Sequence, residues 1–111
     1  MSSEIAEAII DQYVRNGWRL RRVLAEDTGK PPFADDEVPI AAASFDGLWF
    51  SRKRHDGAET WELRRLFGTP FALLAVVSDD ASETEMDEVL AEVERKMAET
   101  SIKASGKNKF A

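Results

Sequence analysis

His55 is the single histidine of the chain and stands in Arg54-His55-Asp56-Gly57. An imidazole beside a carboxylate is the elementary form of a general base with its orienting group. Here the two are consecutive residues in a turn-forming stretch, where a fixed catalytic geometry is hard to hold. No motif brings a serine nucleophile to them, so His55 reads as a solvated turn residue. The chain has no cysteine, which removes disulfides, thiolate catalysis, iron–sulfur clusters and cysteine-ligated zinc. Metal binding would fall to carboxylates. Asp35-Asp36-Glu37 and Asp79-Asp80 are the two acidic groups that could hold a hard cation, but neither has the spaced ligands and central glycine of a calcium loop. Asp79-Asp80 also stands just before a helix, where acids answer the positive end of the dipole. None of the six glycines falls in a G-x-G or G-x-x-x-x-G-K phosphate loop. These residues predict no catalytic site, no metal and no cofactor.

Arginines and aromatics carry the remaining chemistry. Arg19, Arg21, Arg22, Arg52, Arg54, Arg64 and Arg65, with Lys53, fall in three strand-like stretches that oppose them only with Glu59 and Glu62, whereas Asp79–Glu99 is strongly acidic. If Trp18 and Trp61 point the same way, alternation gathers Arg19, Arg21 and Arg64 on the opposite sheet face. Their planar forks would suit phosphate or carboxylate there. The plainer expectation is that these arginines lay their stems on the sheet and pair with acids of the same chain. Trp18, Trp49 and Trp61 read first as core, because a buried aromatic contributes so much apolar area. Trp49 and Phe50 are neighbours in one strand and so point to opposite faces; Phe71–Val77 is apolar on both faces as well. An apolar face left uncovered usually marks a partner. Arg19, Arg21, Arg64, Trp49 and Phe50 are therefore the candidate binding residues.

The elements that would position these groups follow from periodicity. Ser3–Asn16 has apolar residues at helical spacing: Ile5, Ala8, Ile9 and Tyr13, with Ala6, Ile10 and Val14 beside them. Ser2 or Ser3 can cap it, and Asn16-Gly17 supplies a left-handed stop. Trp18–Ala25 alternates as a strand; a helical continuation is the rival reading, and the Asn16-Gly17 break before it favours the strand. Glu26–Pro39 stacks turn formers and acids and reads as a long loop. Ile40–Phe45 fits either a short strand or a helical turn. Leu48–Arg54 and Glu59–Phe67 are β-rich runs around His55-Asp-Gly-Ala, a hairpin signature. Gly68-Thr-Pro70 predicts a turn. Phe71–Val77 lacks alternation, which predicts a strand buried on both faces. Asp79–Glu99 predicts a second helix, with a capping box at Ser82-Glu-Thr-Glu85 and a stripe of Met86, Val89, Leu90, Val93 and Met97. Residues 100–111 are small, polar and basic, which predicts a disordered tail.

The 111 residues suit one domain, and 43% hydrophobic with 32% charged residues is the balance of a globular chain. The expected fold is α+β: an antiparallel sheet of about four strands, with the N- and C-terminal helices packed on one face, in a single domain over 1–99. No apolar run approaches the ~20 residues of a membrane span, and the N-terminus lacks the pattern of a secretory signal. A cytoplasmic protein is expected. A net charge of −6 argues against generic nucleic-acid binding. The function expected from these features is a non-catalytic protein-interaction module of adaptor, chaperone or inhibitor type that forms a homodimer. Nucleic-acid or anion binding through the arginines is the alternative. An enzyme using Arg with Asp or Glu comes third.

Overall fold

The computed structural model describes residues 3–67 and 71–110. Helix α1 spans Glu4–Arg15 and is followed by strands β1 (Arg19–Ala25), β2 (Ile40–Ala42), β3 (Gly47–Lys53), β4 (Glu59–Arg65) and β5 (Phe71–Val77), and by helix α2 (Glu83–Phe110). The expected α+β class holds, with five strands rather than four, in the order β2-β1-β3-β4-β5. The additional strand is Ile40–Ala42. It lies parallel to β1, while β1, β3, β4 and β5 pair antiparallel.

Local chemistry sets the element ends. Ser3 Oγ accepts the Ala6 amide at the start of α1, and Asn16 caps its end. Gly17 follows at φ +86°, a conformation that costs glycine little. In the β3–β4 hairpin the Arg54 amide donates to the Ala58 carbonyl at 2.8 Å, and Gly57 turns the chain at φ +90°. At the start of α2 the Glu85 amide donates to Ser82 Oγ at 3.1 Å, and that hydroxyl donates to the Glu85 carboxylate. Ser82 and Glu85, the predicted capping-box residues, thus pair, with the carboxylate meeting the Ser82 hydroxyl. The helix continues past Glu99, where its apolar stripe ends, to Phe110. The Gly68-Thr-Pro70 turn lies outside the described residues.

The two helices do not share a face of the sheet, contrary to the sequence expectation. Leu90, Val93 and Met97 of α2 pack with Leu24, Phe45, Trp49, Trp61, Leu63 and Val77. Ala6 of α1, with Ile9, Ile10 and Tyr13 beside it, packs with Val23, Leu48, Phe50 and Leu66. Neighbours along β3 belong to different clusters because successive side chains of a strand point to opposite faces. The sheet is thus a middle layer with one helix on each side. The buried stripe of α1 is also rotated from expectation: Ala6 is fully buried, while Ile5 is 54% exposed. The long loop closes against the α1 side. The Ser3 amide donates to the Pro32 carbonyl at 2.8 Å, and Phe33 and Val38 join the α1 cluster.

Cover is uneven across the sheet. On the α1 side it reaches β1 and β3, whereas on the α2 side it runs from β1 across β3 and β4 to β5. β5 is therefore an edge strand with a single covered face. Phe71, Leu73 and Ala75 are half-buried toward α2, whereas Leu74 and Val76 are 62% and 53% exposed on the other face. The expectation that β5 is buried on both faces is overturned, because α1 sits over the opposite half of the sheet.

Candidate functional site

The five residues singled out by sequence are not brought together. Trp49 and Phe50 are both fully buried, each with 0% accessible surface. Trp49 donates its indole N–H to Glu94 Oε2 at 2.8 Å and meets Trp61 edge-on. Phe50 stacks on Tyr13 with ring centroids 4.0 Å apart. They hold the two helices to the sheet and present no binding surface.

The three arginines are divided between the faces. Trp18 packs with the α1 cluster and Trp61 with the α2 cluster; the premise that both tryptophans point the same way therefore fails. Arg21 is the extra residue of a bulge between Leu20 and Arg22, and it turns to the α2 side. There its guanidinium lies over the Trp61 ring at 4.6 Å and bonds Glu59 Oε2 at 3.0 Å and Ser51 Oγ at 2.9 Å. Arg19 is exposed opposite Ser51, on that same face. Arg64 pairs with Leu48 and so faces α1. Arg22 reaches Glu94 at 3.6 Å. Self-pairing thus engages Arg21 and Arg22, the outcome that sequence reasoning weighed against a basic face. His55 is exposed at the hairpin, and among the described residues no three His, Asp or Glu side chains gather to hold a metal ion.

Two surfaces remain that could engage something else. One is a polar hollow of about 360 Å³ beside the end of α1, lined by residues that include Tyr13, Trp18, Arg52, Glu62 and Arg64. Register sets it: Glu62 and Arg64 are two apart on β4 and share the α1 face, and Tyr13 comes down from the helix to donate its hydroxyl to Glu62. Burial, then the hydrogen bond to Glu62 and that carboxylate's charge, push the Tyr13 phenol up to about 12, with Arg64 opposing. Arg52 lies 4.6 Å over the Trp18 ring and donates to the Asn16 carbonyl at 3.1 Å. Arg64 Nε is buried with no hydrogen-bond partner.

The other surface is the outer edge of β5. Its strand carries unpaired backbone groups along one side, as every sheet edge does. Leu74 and Val76 stand exposed on one face of it. On the other, a groove of about 540 Å³ runs between β5 and α2, lined by Ala75, Val89 and Val93, by part of Leu74, and by an acidic wall of Glu85, Glu88 and Glu92. Arg95 bonds Glu92 and holds its carboxyl below the usual range, whereas Glu85 and Glu88 form no ion pair among the described residues. Sequence reasoning missed Leu74, Val76 and this wall as a unit. The signal was the unbroken apolar run of Phe71–Val77 followed by an acidic helix, and only the sheet order shows that the run lies at an edge.

No known family model, no curated protein and no solved structure matches the chain. No described helix is long and apolar enough to cross a membrane.

Proposed function

We propose that the chain is a cytoplasmic, non-catalytic protein-interaction module whose working surface is the β5 edge, and that two copies share this edge when no other partner is present. The observation that carries the proposal is the exposure of Leu74 and Val76 on a strand with no outer neighbour among the described residues. An open edge with apolar side chains is a template for another strand. Two identical edges can pair about a two-fold axis, the commonest symmetry of assemblies. Adaptor, chaperone and inhibitor roles all draw on such a surface, and none needs a catalytic group.

Sedimentation velocity from micromolar to several hundred micromolar tests this. The wild type is expected to show a concentration-dependent monomer–dimer equilibrium, and the Leu74→Lys, Val76→Lys double variant to remain monomeric. Both side chains are exposed, so the variant should fold. A wild type that is monomeric throughout would rule out the shared edge. A dimer that survives in the double variant would place the interface elsewhere.

Anion binding stands second, moved from the three arginines to the hollow. It rests on the unpartnered Nε of Arg64 beside Arg52. Retention on heparin at low salt, lost in Arg52→Gln with Arg64→Gln, would support it; no retention of the wild type would end it.

A further inference from the structure

The β5 edge is bounded on its two faces by surfaces of different chemistry. Toward α2 the groove wall carries Glu85, Glu88 and Glu92, with Lys96 as the only basic residue lining it among the described residues. Toward the α1 side the edge offers Leu74 and Val76, with no charge on either. A strand added beside β5 would send alternate side chains to these two surfaces. One set would lie along the acidic wall, and the other would extend the apolar strip.

We propose that the preferred occupant of the β5 edge is an extended segment of another protein in which basic and apolar residues alternate, added as a sixth strand. The inference rests on the reading of β5 as the working surface and names the chemistry of the partner. Charge complementarity carries it. Glu85 accepts only from the Ser82 hydroxyl, and neither Glu85 nor Glu88 makes an ion pair within the described residues, so cations placed beside them break no existing ion pair. A second copy is the poorer occupant. Pairing about a two-fold axis perpendicular to the sheet keeps both α2 helices on one side, and each acidic wall would then face its own duplicate. Like charges across such a seam oppose association. The self-paired form is accordingly the weaker one, displaced when a basic strand arrives. Backbone pairing would supply most of the affinity and the wall would supply the selection, the division of labour common to strand addition.

The test uses the full chain and end-blocked heptapeptides, matched to the seven residues of β5. One alternates lysine and valine, a second alternates glutamate and valine, and a third repeats the first with N-methyl groups on alternate residues. Affinities are read by fluorescence anisotropy at low salt. The lysine peptide is expected to bind on the order of tenfold more tightly than the glutamate peptide, the scale of two exposed ion pairs gained against two like-charge contacts. The preference should shrink with added salt and should invert in the Glu85→Lys, Glu88→Lys variant. N-methylation should abolish binding if backbone pairing is the mode. Equal binding of the lysine and glutamate peptides would overturn the charge assignment while leaving the β5 edge as the working surface. Undiminished binding of the N-methylated peptide would overturn strand addition. No peptide binding together with a wild-type dimer that Leu74→Lys, Val76→Lys abolishes would show the edge reserved for a second copy, which refutes the basic partner and keeps the proposed surface. No binding by a strictly monomeric chain would refute both.

Discussion

Glu94 ties α2 to the middle of the sheet, and its replacement measures that tie. Its Oε2 accepts the Trp49 indole N–H at 2.8 Å and lies 3.6 Å from Arg22. Trp49 is fully buried, so Glu94→Ala leaves an indole donor stranded away from water. An unsatisfied buried donor costs about 1–3 kcal/mol. The Arg22 ion pair is partly exposed, with side chains 34% and 26% accessible, and adds at most about 1 kcal/mol. The expected loss is therefore about 1–4 kcal/mol. At roughly 4 °C per kcal/mol for a domain of this size, the midpoint should fall by about 4–16 °C. Glu94→Gln keeps an acceptor oxygen and loses only the charge, so its cost should stay below about 1.5 kcal/mol. Thermal melts followed by circular dichroism compare the two. A double-mutant cycle with Trp49→Phe then isolates the pair: in the phenylalanine background Glu94→Ala should lose only the Arg22 contribution, giving a coupling energy of about 1–3 kcal/mol. Equal losses for the alanine and glutamine variants, or a coupling below about 0.5 kcal/mol, would refute the bond as a source of stability.

Opposite placement of the helices makes Leu90→Ala and Ala6→Leu independent. The first should cost about 2–5 kcal/mol by leaving a cavity and the second about 1–3 kcal/mol by overpacking; urea denaturation should find their effects additive within about 0.5 kcal/mol, and strong coupling would put the helices in contact. Tyr13 is the chain's single tyrosine, so phenolate absorbance titrates it alone. Its midpoint should fall near 12 and drop in Glu62→Gln. Because the folded phenol binds its proton more tightly than the unfolded one, its contribution to stability is fully present below pH 10 and is lost as pH rises from about 10 to 12. Tyr13→Phe should show a shallower loss over that window, and identical slopes would contradict the assignment. Gly57→Ala combines a positive φ with a Cβ only 2.9 Å from Asp79 Oδ2. It should cost about 1–2 kcal/mol or more, and Asp79→Ala in the same chain should recover only the contact part in chemical denaturation.

Much of the candidate site was hidden for a definite reason. Leu74 and Val76 sit within a run that is apolar at every position, so no alternation marks which residues face out. The acidic wall was legible as a charge bias in α2, and the capping box at Ser82 and Glu85 as a helix start. That the wall lies beside an open edge depends on β5 pairing with β4 alone. The hollow at Tyr13, Glu62, Arg52 and Arg64 was likewise invisible. It needs α1 and β4, whose Tyr13 and Glu62 lie 49 positions apart, to meet.

The sequence by itself determined most of the elements, though not β2: the helix starts at Ser3 and Ser82, the hairpin at Asp56-Gly57, and the strands that alternate or run apolar. These are local matters, settled by dihedral preference, capping and period over a few residues. Tertiary structure alone decided the sides. Leu48 and Phe50 make one face of β3 apolar and Trp49 the other, so either helix stripe could have been buried on either face. An amphipathic helix encodes that it needs an apolar partner surface, and not which one. Likewise, Phe71–Val77 carries the pattern of a central strand and yet forms an edge, because burial is set by what other segments cover, and a strand's own residues do not specify its cover.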